Sequence, residues 1–120
     1  MTVDITPYSP SRQARPTAAA VPRTGAVGIA VIGAGYWGPN IVRNGLALSA
    51  TDLKWVCDRD LGRAHGVVGA QSAIGVTPDI DEVLDDDAVE AVAIATPPAT
   101  HAELALRCIE AGRHVLVEKP

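Results

Sequence analysis

The feature that most constrains the fold is an apolar run followed directly by three spaced glycines. Residues 27–32 (Val-Gly-Ile-Ala-Val-Ile) contain no polar side chain, which is typical of a parallel strand covered on both faces. Gly33, Gly35 and Gly38 follow, and a segment of helical length then extends to about Ser49. A strand, a glycine-rich turn and a helix in this order predict the start of a βαβ unit.

The same alternation of strand and helix continues along the chain. Further strands are predicted at Leu53–Cys57, Gly75–Thr77, Val89–Ile94 and His114–Val117. Helices are predicted from Leu61 to about Ala70, from Ile80 through Leu84, and from about Thr100 to Gly112, with capping boxes at Asp79–Glu82 and Thr100–Glu103. The fold class is therefore α/β, a Rossmann-type doubly wound parallel sheet that ends after strand five.

The first 26 residues differ from the remainder in composition. They hold four of the nine prolines and three arginines against a single acid, Asp4. The prolines prevent a sustained helix, so residues 1–26 are predicted to be a disordered, flexible tail and residues 27–120 the folded domain. A targeting peptide is the alternative interpretation of this segment, although its prolines weigh against one.

Charge, hydropathy and cysteine content exclude several classes of protein. The net charge of -4, without a basic stripe, argues against a nucleic-acid partner. No apolar run approaches the roughly 20 residues of a membrane span, and no secretory signal is visible. Cys57 and Cys108 indicate reduced, buried thiols of a cytoplasmic protein. None of the three histidines has the spacing of a metal site, so no metal is expected.

The glycine-rich turn carries the main chemical signal. Gly33 permits a tight turn, Gly35 lets a pyrophosphate approach the backbone, and Gly38 lets the helix lie close to the first strand. Free N–H groups at the helix start, with Tyr36 and Trp37 among them, would hold the diphosphate of a dinucleotide. The alternative is a tight turn without a ligand, which would make little use of three glycines at these offsets.

An acidic residue supports a nicotinamide dinucleotide as the ligand. Asp58 follows the second predicted strand, 20 residues after Gly38, where a carboxylate can accept hydrogen bonds from the adenosine ribose. It would also repel a 2′-phosphate, which favours NAD over NADP. Arg59 keeps NADP open, because its guanidinium could pair with that phosphate.

The chain ends in a second set of candidate residues, Glu118, Lys119 and Pro120. Ligands of open α/β sheets lie beyond the carboxyl ends of the strands, so Lys119 is predicted to face the cofactor. Its amine could bond a substrate oxygen as hydride moves, with Glu118 positioning that amine. A solvated charge pair at a strand end is the alternative. Because Lys54 is the only other lysine in the chain, the lysine at this position does not come from a lysine-rich surface.

Three segments together resemble the cofactor domain of the Gfo/Idh/MocA oxidoreductases: 33–40 (GAGYWGPN), 95–101 (ATPPATH) and 112–120 (GRHVLVEKP). The resemblance implies an NAD- or NADP-binding Rossmann domain, sugar, nucleotide-sugar or cyclitol substrates, and a homo-oligomer in the full-length form. It places the catalytic lysine on Lys119. It also places Thr96, Pro97 and His101 on the nicotinamide side of the cofactor.

Members of that family continue beyond the Glu-Lys-Pro motif into a substrate-binding domain. A fragment, a frameshifted product and a genuine nucleotide-binding module are all compatible with a chain of 120 residues. We expect the chain by itself to bind cofactor without turnover, and its fifth strand to form an uncovered apolar edge that promotes association. Two functions stay open: the cofactor-binding part of a dehydrogenase, or a non-catalytic dinucleotide-binding module, which would have no need of Lys119.

Overall fold

The computed structural model describes residues 25–119 of the chain. Its strands are β1 (Val27–Ile32), β2 (Thr51–Cys57), β3 (Gly75–Thr77), β4 (Ala91–Ile94) and β5 (His114–Val117). Its helices are α1 (Gly38–Ala47), α2 (Leu61–Val68), α3 (Ile80–Leu84) and α4 (His101–Glu110), with a 3₁₀ turn at Pro98–Thr100. The predicted order of elements is confirmed. The predicted tail lies outside the described residues except for positions 25 and 26, and so does Pro120.

All five strands are parallel and lie in the order β3-β2-β1-β4-β5. The chain moves outward from β1 through β2 to β3 and then returns to the other side of β1 for β4 and β5. The order therefore reverses between β1 and β4, which is where ligands bind in open α/β sheets. The predicted fold class, a doubly wound Rossmann-type sheet, is confirmed.

The core has two layers, one on each face of the sheet. Along β1, Ala30 and Ile32 pack in the layer that contains Cys108 of α4, while Val31 packs with Val42 of α1 in the other layer. These five residues are 0–4% exposed. Because helices cover both faces of β1, its sequence is apolar without alternation.

Some element boundaries differ from the predictions, each with a local cause. β4 begins at Ala91, because the N–H of Val89 donates to the carbonyl of Asp86 in the preceding turn. α1 ends at Ala47, because the next residue, Leu48, is extended. α2 ends at Val68, because Gly69 takes a positive φ of 64°. β2 begins at Thr51, which pairs with the start of β1.

The capping box predicted before α3 forms only in part. Asp79 caps the helix by accepting a hydrogen bond from the N–H of Asp81 at 2.9 Å. Glu82 does not return to Asp79, since its carboxylate accepts from the Thr77 hydroxyl at 2.5 Å. The Thr77 hydroxyl oxygen in turn accepts from the Asp79 N–H at 3.1 Å. A threonine at the end of β3 therefore completes the motif.

The capping box predicted at Thr100–Glu103 is wrong. The 3₁₀ turn runs directly into α4, so Thr100 has helical dihedral angles (φ -100°, ψ -5°) and its side chain makes no cap. An N-cap residue normally has an extended backbone. The Thr100 hydroxyl instead contacts the hydroxyl of Thr96 at 2.6 Å and donates to the carbonyl of Pro97 at 2.8 Å.

The outer edge of the sheet beyond β4 is formed by β5. Leu116 and Val117 of this strand are 66% and 39% exposed, so among the described residues β5 forms the apolar edge strand that the sequence predicts. In the part of the chain that the structure describes, no helix has the length and apolar character needed to cross a membrane.

Candidate functional site

Backbone hydrogen bonds align the ends of the strands. The N–H groups that follow β2, β1, β4 and β5 each donate to the adjacent strand: Asp58 to Thr77, Gly33 to Cys57, Ala95 to Ile32, and Glu118 to Ile94, at 2.8–3.1 Å. With a spacing of about 4.8 Å between strands, the row from Asp58 to Glu118 extends about 14 Å. The fold therefore brings candidate residues from four separate segments together at the carboxyl ends of the strands.

Two of the three motif glycines are required by the protein's own backbone. Gly33 has a φ of 101°, and a Cβ atom there would lie 2.8 Å from the carbonyl carbon and oxygen of Ala95. A Cβ atom on Gly38 would lie 1.9 Å from the carbonyl oxygen of Gly33. The turn therefore packs against the end of β4 at the switch point, and α1 starts in direct contact with the turn.

Gly35 is different, because the protein itself leaves space beside it. Of the residues that the structure describes, a Cβ atom at Gly35 would meet only the Arg63 Nη1 atom, at 3.2 Å, and the φ of Gly35 is not positive. Among the described residues, the backbone N–H groups of residues 35–37 make no hydrogen bond. Trp37 occupies the N-cap position of α1 without a side-chain cap. Unpaired donors at the positive end of a helix fit the diphosphate of a dinucleotide.

Two aromatic rings border these donors. Tyr36 is 94% and Trp37 44% exposed, and their rings are stacked with centroids 6.2 Å apart. Large apolar rings are usually buried or used in binding. Their contact with a cofactor stays a prediction.

Asp58 lies beside the turn and holds it in place. Its Oδ2 atom accepts a hydrogen bond from the N–H of Ala34 at 2.7 Å, and its Oδ1 atom accepts from the N–H of Asp60 at 2.7 Å. The side chain is only 11% exposed. A carboxylate has about four acceptor positions, so capacity remains for ribose hydroxyls, and the predicted ribose contact stays a prediction.

Sequence reasoning missed the arginine that is placed at this carboxylate. Arg59 is exposed and makes no ion pair within residues 25–119. Arg63 instead lies 3.8 Å from Asp58 Oδ2 and 3.8 Å from Asp60 Oδ2. The sequence signal that could have identified Arg63 was Asp60, which caps α2 by accepting a hydrogen bond from the N–H of Arg63 at 3.1 Å. Such a cap places residue 63 in the first helical turn, over the loop.

Both cysteines are buried free thiols, as predicted. Cys57 ends β2 directly before Asp58. Burial, and secondarily the negative charge of Asp58, raises the pKa of Cys57 to about 11. Burial also raises the pKa of Cys108. Cys57 is therefore a neutral packing residue beneath the site.

The loop after β4 is held by side chains of its own residues. The Nε2 atom of His101 lies 2.7 Å from the carbonyl oxygen of Thr96. Since a carbonyl oxygen only accepts, Nε2 must carry a proton and donate it. The Thr96 and Thr100 hydroxyls also bond to each other. Thr96, Pro97 and His101 therefore follow β4 at the switch point, with His101 fixing the shape of the loop.

Glu118 and Lys119 follow β5 at the far end of the row. The carboxylate of Glu118 accepts a hydrogen bond from the backbone N–H of Lys119 at 3.1 Å. The Lys119 side chain is exposed, and its ammonium makes no ion pair with any described residue. No cluster of three or more histidine, cysteine or acidic side chains suited to a metal occurs between residues 25 and 119.

Comparison with known proteins agrees with this geometry. Residues 27–120 match the family GFO_IDH_MocA, described as an oxidoreductase family with an NAD-binding Rossmann fold. The chain belongs to the Gfo/Idh/MocA oxidoreductase family. The resemblance seen in the three sequence segments is confirmed, and the match to the NAD-binding Rossmann fold of this family covers residues 27–120.

Individual relatives agree with that assignment. Inositol 2-dehydrogenase 2 of Saccharopolyspora erythraea is 40% identical over 93 residues, which are 77% of this chain and 27% of that protein. The scyllo-inositol 2-dehydrogenase (NAD(+)) of Bacillus subtilis is 37% identical, with 76% and 27% covered. The crystal structure of GenD2 from gentamicin A biosynthesis, in complex with NAD, superposes with a TM-score of 0.76 at 41% identity and covers 83% of this chain and 30% of that one. The chain thus spans about a quarter of the length of these curated relatives.

Proposed function

We propose that the chain is the cofactor-binding part of an NAD-dependent dehydrogenase acting on a hydroxyl or carbonyl of a cyclitol, sugar or nucleotide sugar. The observation that carries this proposal is the row of strand ends, which has a carboxylate at one end, unpaired N–H groups next to it and a lysine at the other end. The inositol dehydrogenases among the relatives support a polyhydroxylated substrate.

The order of groups along the row supports one direction for the cofactor. Asp58 lies at the β2 end, where it would hold the adenosine ribose. The N–H groups of residues 35–37 lie at the β1 end, where they would hold the diphosphate. Thr96 and Glu118 follow β4 and β5, so the nicotinamide would lie on that side of the switch point. Pro97 and His101 would border it there, through the loop that they shape.

Lys119 is the proposed catalytic residue. When bound, the nicotinamide cofactor supplies or accepts the hydride. The exposed ammonium of Lys119 would hold a proton at the substrate oxygen and stabilise negative charge there. Glu118 would restrict the backbone of Lys119 through its hydrogen bond to the Lys119 N–H. A module that only binds a dinucleotide would not depend on that ammonium.

Cofactor binding can be measured on the 120-residue chain itself. Trp37 lies at the turn, so tryptophan-sensitised fluorescence should report NADH directly. We expect saturable binding of NADH, tighter than that of NADPH, and loss of NADH binding in Gly35→Val, whose side chain would fill the space beside the turn. An absence of saturable binding to the folded wild-type chain would refute the proposal.

The catalytic role of Lys119 requires a protein that turns over substrate. If the open reading frame continues past codon 120, Lys119→Met in its product should lower kcat by about 10²–10⁴-fold, the usual contribution of a proton-transferring group. The Kd for NADH should change little. An unchanged kcat would refute the catalytic role of Lys119.

A further inference from the structure

The Arg63 guanidinium lies between two parts of the site that the sequence treats separately. Its Nη1 atom is 3.8 Å from the Asp58 carboxylate and 3.2 Å from the position that a Gly35 Cβ atom would take. It therefore lies at the space beside Gly35, on the turn that carries the N–H groups of residues 35–37. Arg63 is not among the cofactor-binding residues predicted from the sequence.

Both ion pairs of Arg63 are loose. Distances of 3.8 Å to Asp58 and to Asp60 lie near the 4.0 Å limit for such pairs, and the arginine side chain is 52% exposed. Exposed pairs of this kind contribute little stability, so the guanidinium can exchange partners at little cost. Asp58 keeps its hydrogen bonds from Ala34 and Asp60 when Arg63 leaves.

A diphosphate would otherwise meet unfavourable charge at this place. Asp58 contacts the turn at Ala34, and Asp60 lies on the other side of the same guanidinium. Negative charges close to a phosphate weaken its binding. A guanidinium presents planar paired donors that suit phosphate oxygens better than a lysine ammonium does. Arg63 has the charge, the donor geometry and the position to offset both carboxylates.

We propose that Arg63 is a cofactor-binding residue that leaves Asp58 to pair with the diphosphate of the dinucleotide. This inference rests on the proposed function, because it assumes that the turn binds a dinucleotide. It assigns Arg63 to the diphosphate that NAD and NADP share, and the departure of Arg63 frees the outer side of Asp58 for the ribose.

The test compares Arg63→Gln with Arg107→Gln. Arg107 is a matched control because it is also a partly exposed arginine paired with an aspartate, Asp81, and it lies on α4. Arg63→Gln should raise the Kd for NADH and for NADPH by about tenfold or more, the value of one charge-assisted hydrogen bond. Arg63→Lys should lie between wild type and Arg63→Gln, and Arg107→Gln should match wild type.

The outcomes separate the two claims. Failure of the wild-type chain to bind NADH would overturn the proposed function itself. If wild type binds and Arg63→Gln binds NADH equally well, the inference about Arg63 is overturned by itself. A loss confined to NADPH would also overturn it, since that result would assign Arg63 to the 2′-phosphate. Thermal melts of each variant show that it is folded.

Discussion

Alanine at Gly38 and at Gly35 should separate what the fold needs from what the ligand needs. The Gly38 Cβ position lies 1.9 Å from the Gly33 carbonyl oxygen, whereas real Cβ contacts are not shorter than 3.0 Å. In Gly38→Ala, the start of α1 must therefore move by roughly 1 Å from a turn that is itself packed against β4. Because both sides of this contact are backbone, rotamer changes cannot relieve it.

The magnitude follows from the cost of overpacking. Forced backbone shifts of this kind cost about 3 kcal/mol at the upper end of the usual range. For a domain of this size each kcal/mol lowers Tm by about 4–8 °C, so Gly38→Ala should melt roughly 12–24 °C below wild type.

Gly35→Ala should lower the affinity for NADH and leave the stability of the domain nearly unchanged. Within the described part of the chain, its methyl group meets only the end of the Arg63 side chain, which can move, and its φ is not positive. Its Tm should therefore stay within a few degrees of wild type or rise slightly, since alanine lowers the entropy of the unfolded chain. Its affinity for NADH should fall, because the methyl group occupies the space beside the unpaired N–H groups.

Differential scanning calorimetry and NADH titration of the same two preparations check both statements. The reasoning is refuted if Gly35→Ala melts as low as Gly38→Ala. It is refuted equally if Gly35→Ala binds NADH with wild-type affinity.

Further predictions concern other residues of the domain. In titrations, Asp58→Asn should weaken the binding of NADH far more than that of NADPH, because it removes the charge that favours the ribose and repels a 2′-phosphate. Equal losses of affinity for both cofactors would show that Asp58 does not contact the ribose. Because burial raises the pKa of Cys57 to about 11 and raises that of Cys108, both thiols should resist a thiol reagent at pH 8 until the chain unfolds. Rapid labelling of the native chain would contradict that expectation. For the same reason the free energy of unfolding, measured with denaturant, should fall as pH rises from 9 toward 11, since the unfolded thiols ionise first; a free energy that stays constant over this range would contradict the raised pKa. His101→Ala should speed hydrogen exchange in the loop after β4, while His101→Gln, which keeps a donor, should restore slow exchange; equal rates in all three would show that the hydrogen bond does not hold the loop. Leu116→Lys should reduce self-association measured by sedimentation velocity, because charge on an exposed edge strand opposes pairing; a wild-type chain that stays monomeric at high concentration would contradict the expectation.

The strands and the turn could be predicted from the sequence because their signals are local. An apolar run without alternation predicts a strand covered on both faces, and β1 is such a strand at Val27–Ile32. The roles of Gly33 and Gly38 follow from spacing alone, since a helix can start against a turn only where no Cβ intervenes. The family assignment drew on the same short segments.

The errors arose where a side chain had two possible partners. Thr100 has the spacing of an N-cap residue, but the 3₁₀ turn before α4 leaves its hydroxyl to Thr96. Glu82 contacts Thr77, which ends β3 only five residues earlier in the chain. Arg59 and Arg63 are indistinguishable in composition, and only the start of α2 places Arg63 over the turn. Partner choice of this kind depends on the local backbone conformation, which residue spacing alone does not specify.

Backbone amide shifts on addition of NADH test the central claim most directly. In ¹H–¹⁵N spectra of the 120-residue chain, the account predicts saturable shifts that are largest at Gly35, Tyr36 and Trp37, with Asp58 next. Smaller shifts are expected at Glu118 and Lys119, at the other end of the row. Saturable shifts centred on the outer face of β5, with the amides of residues 35–37 unmoved, would contradict the account.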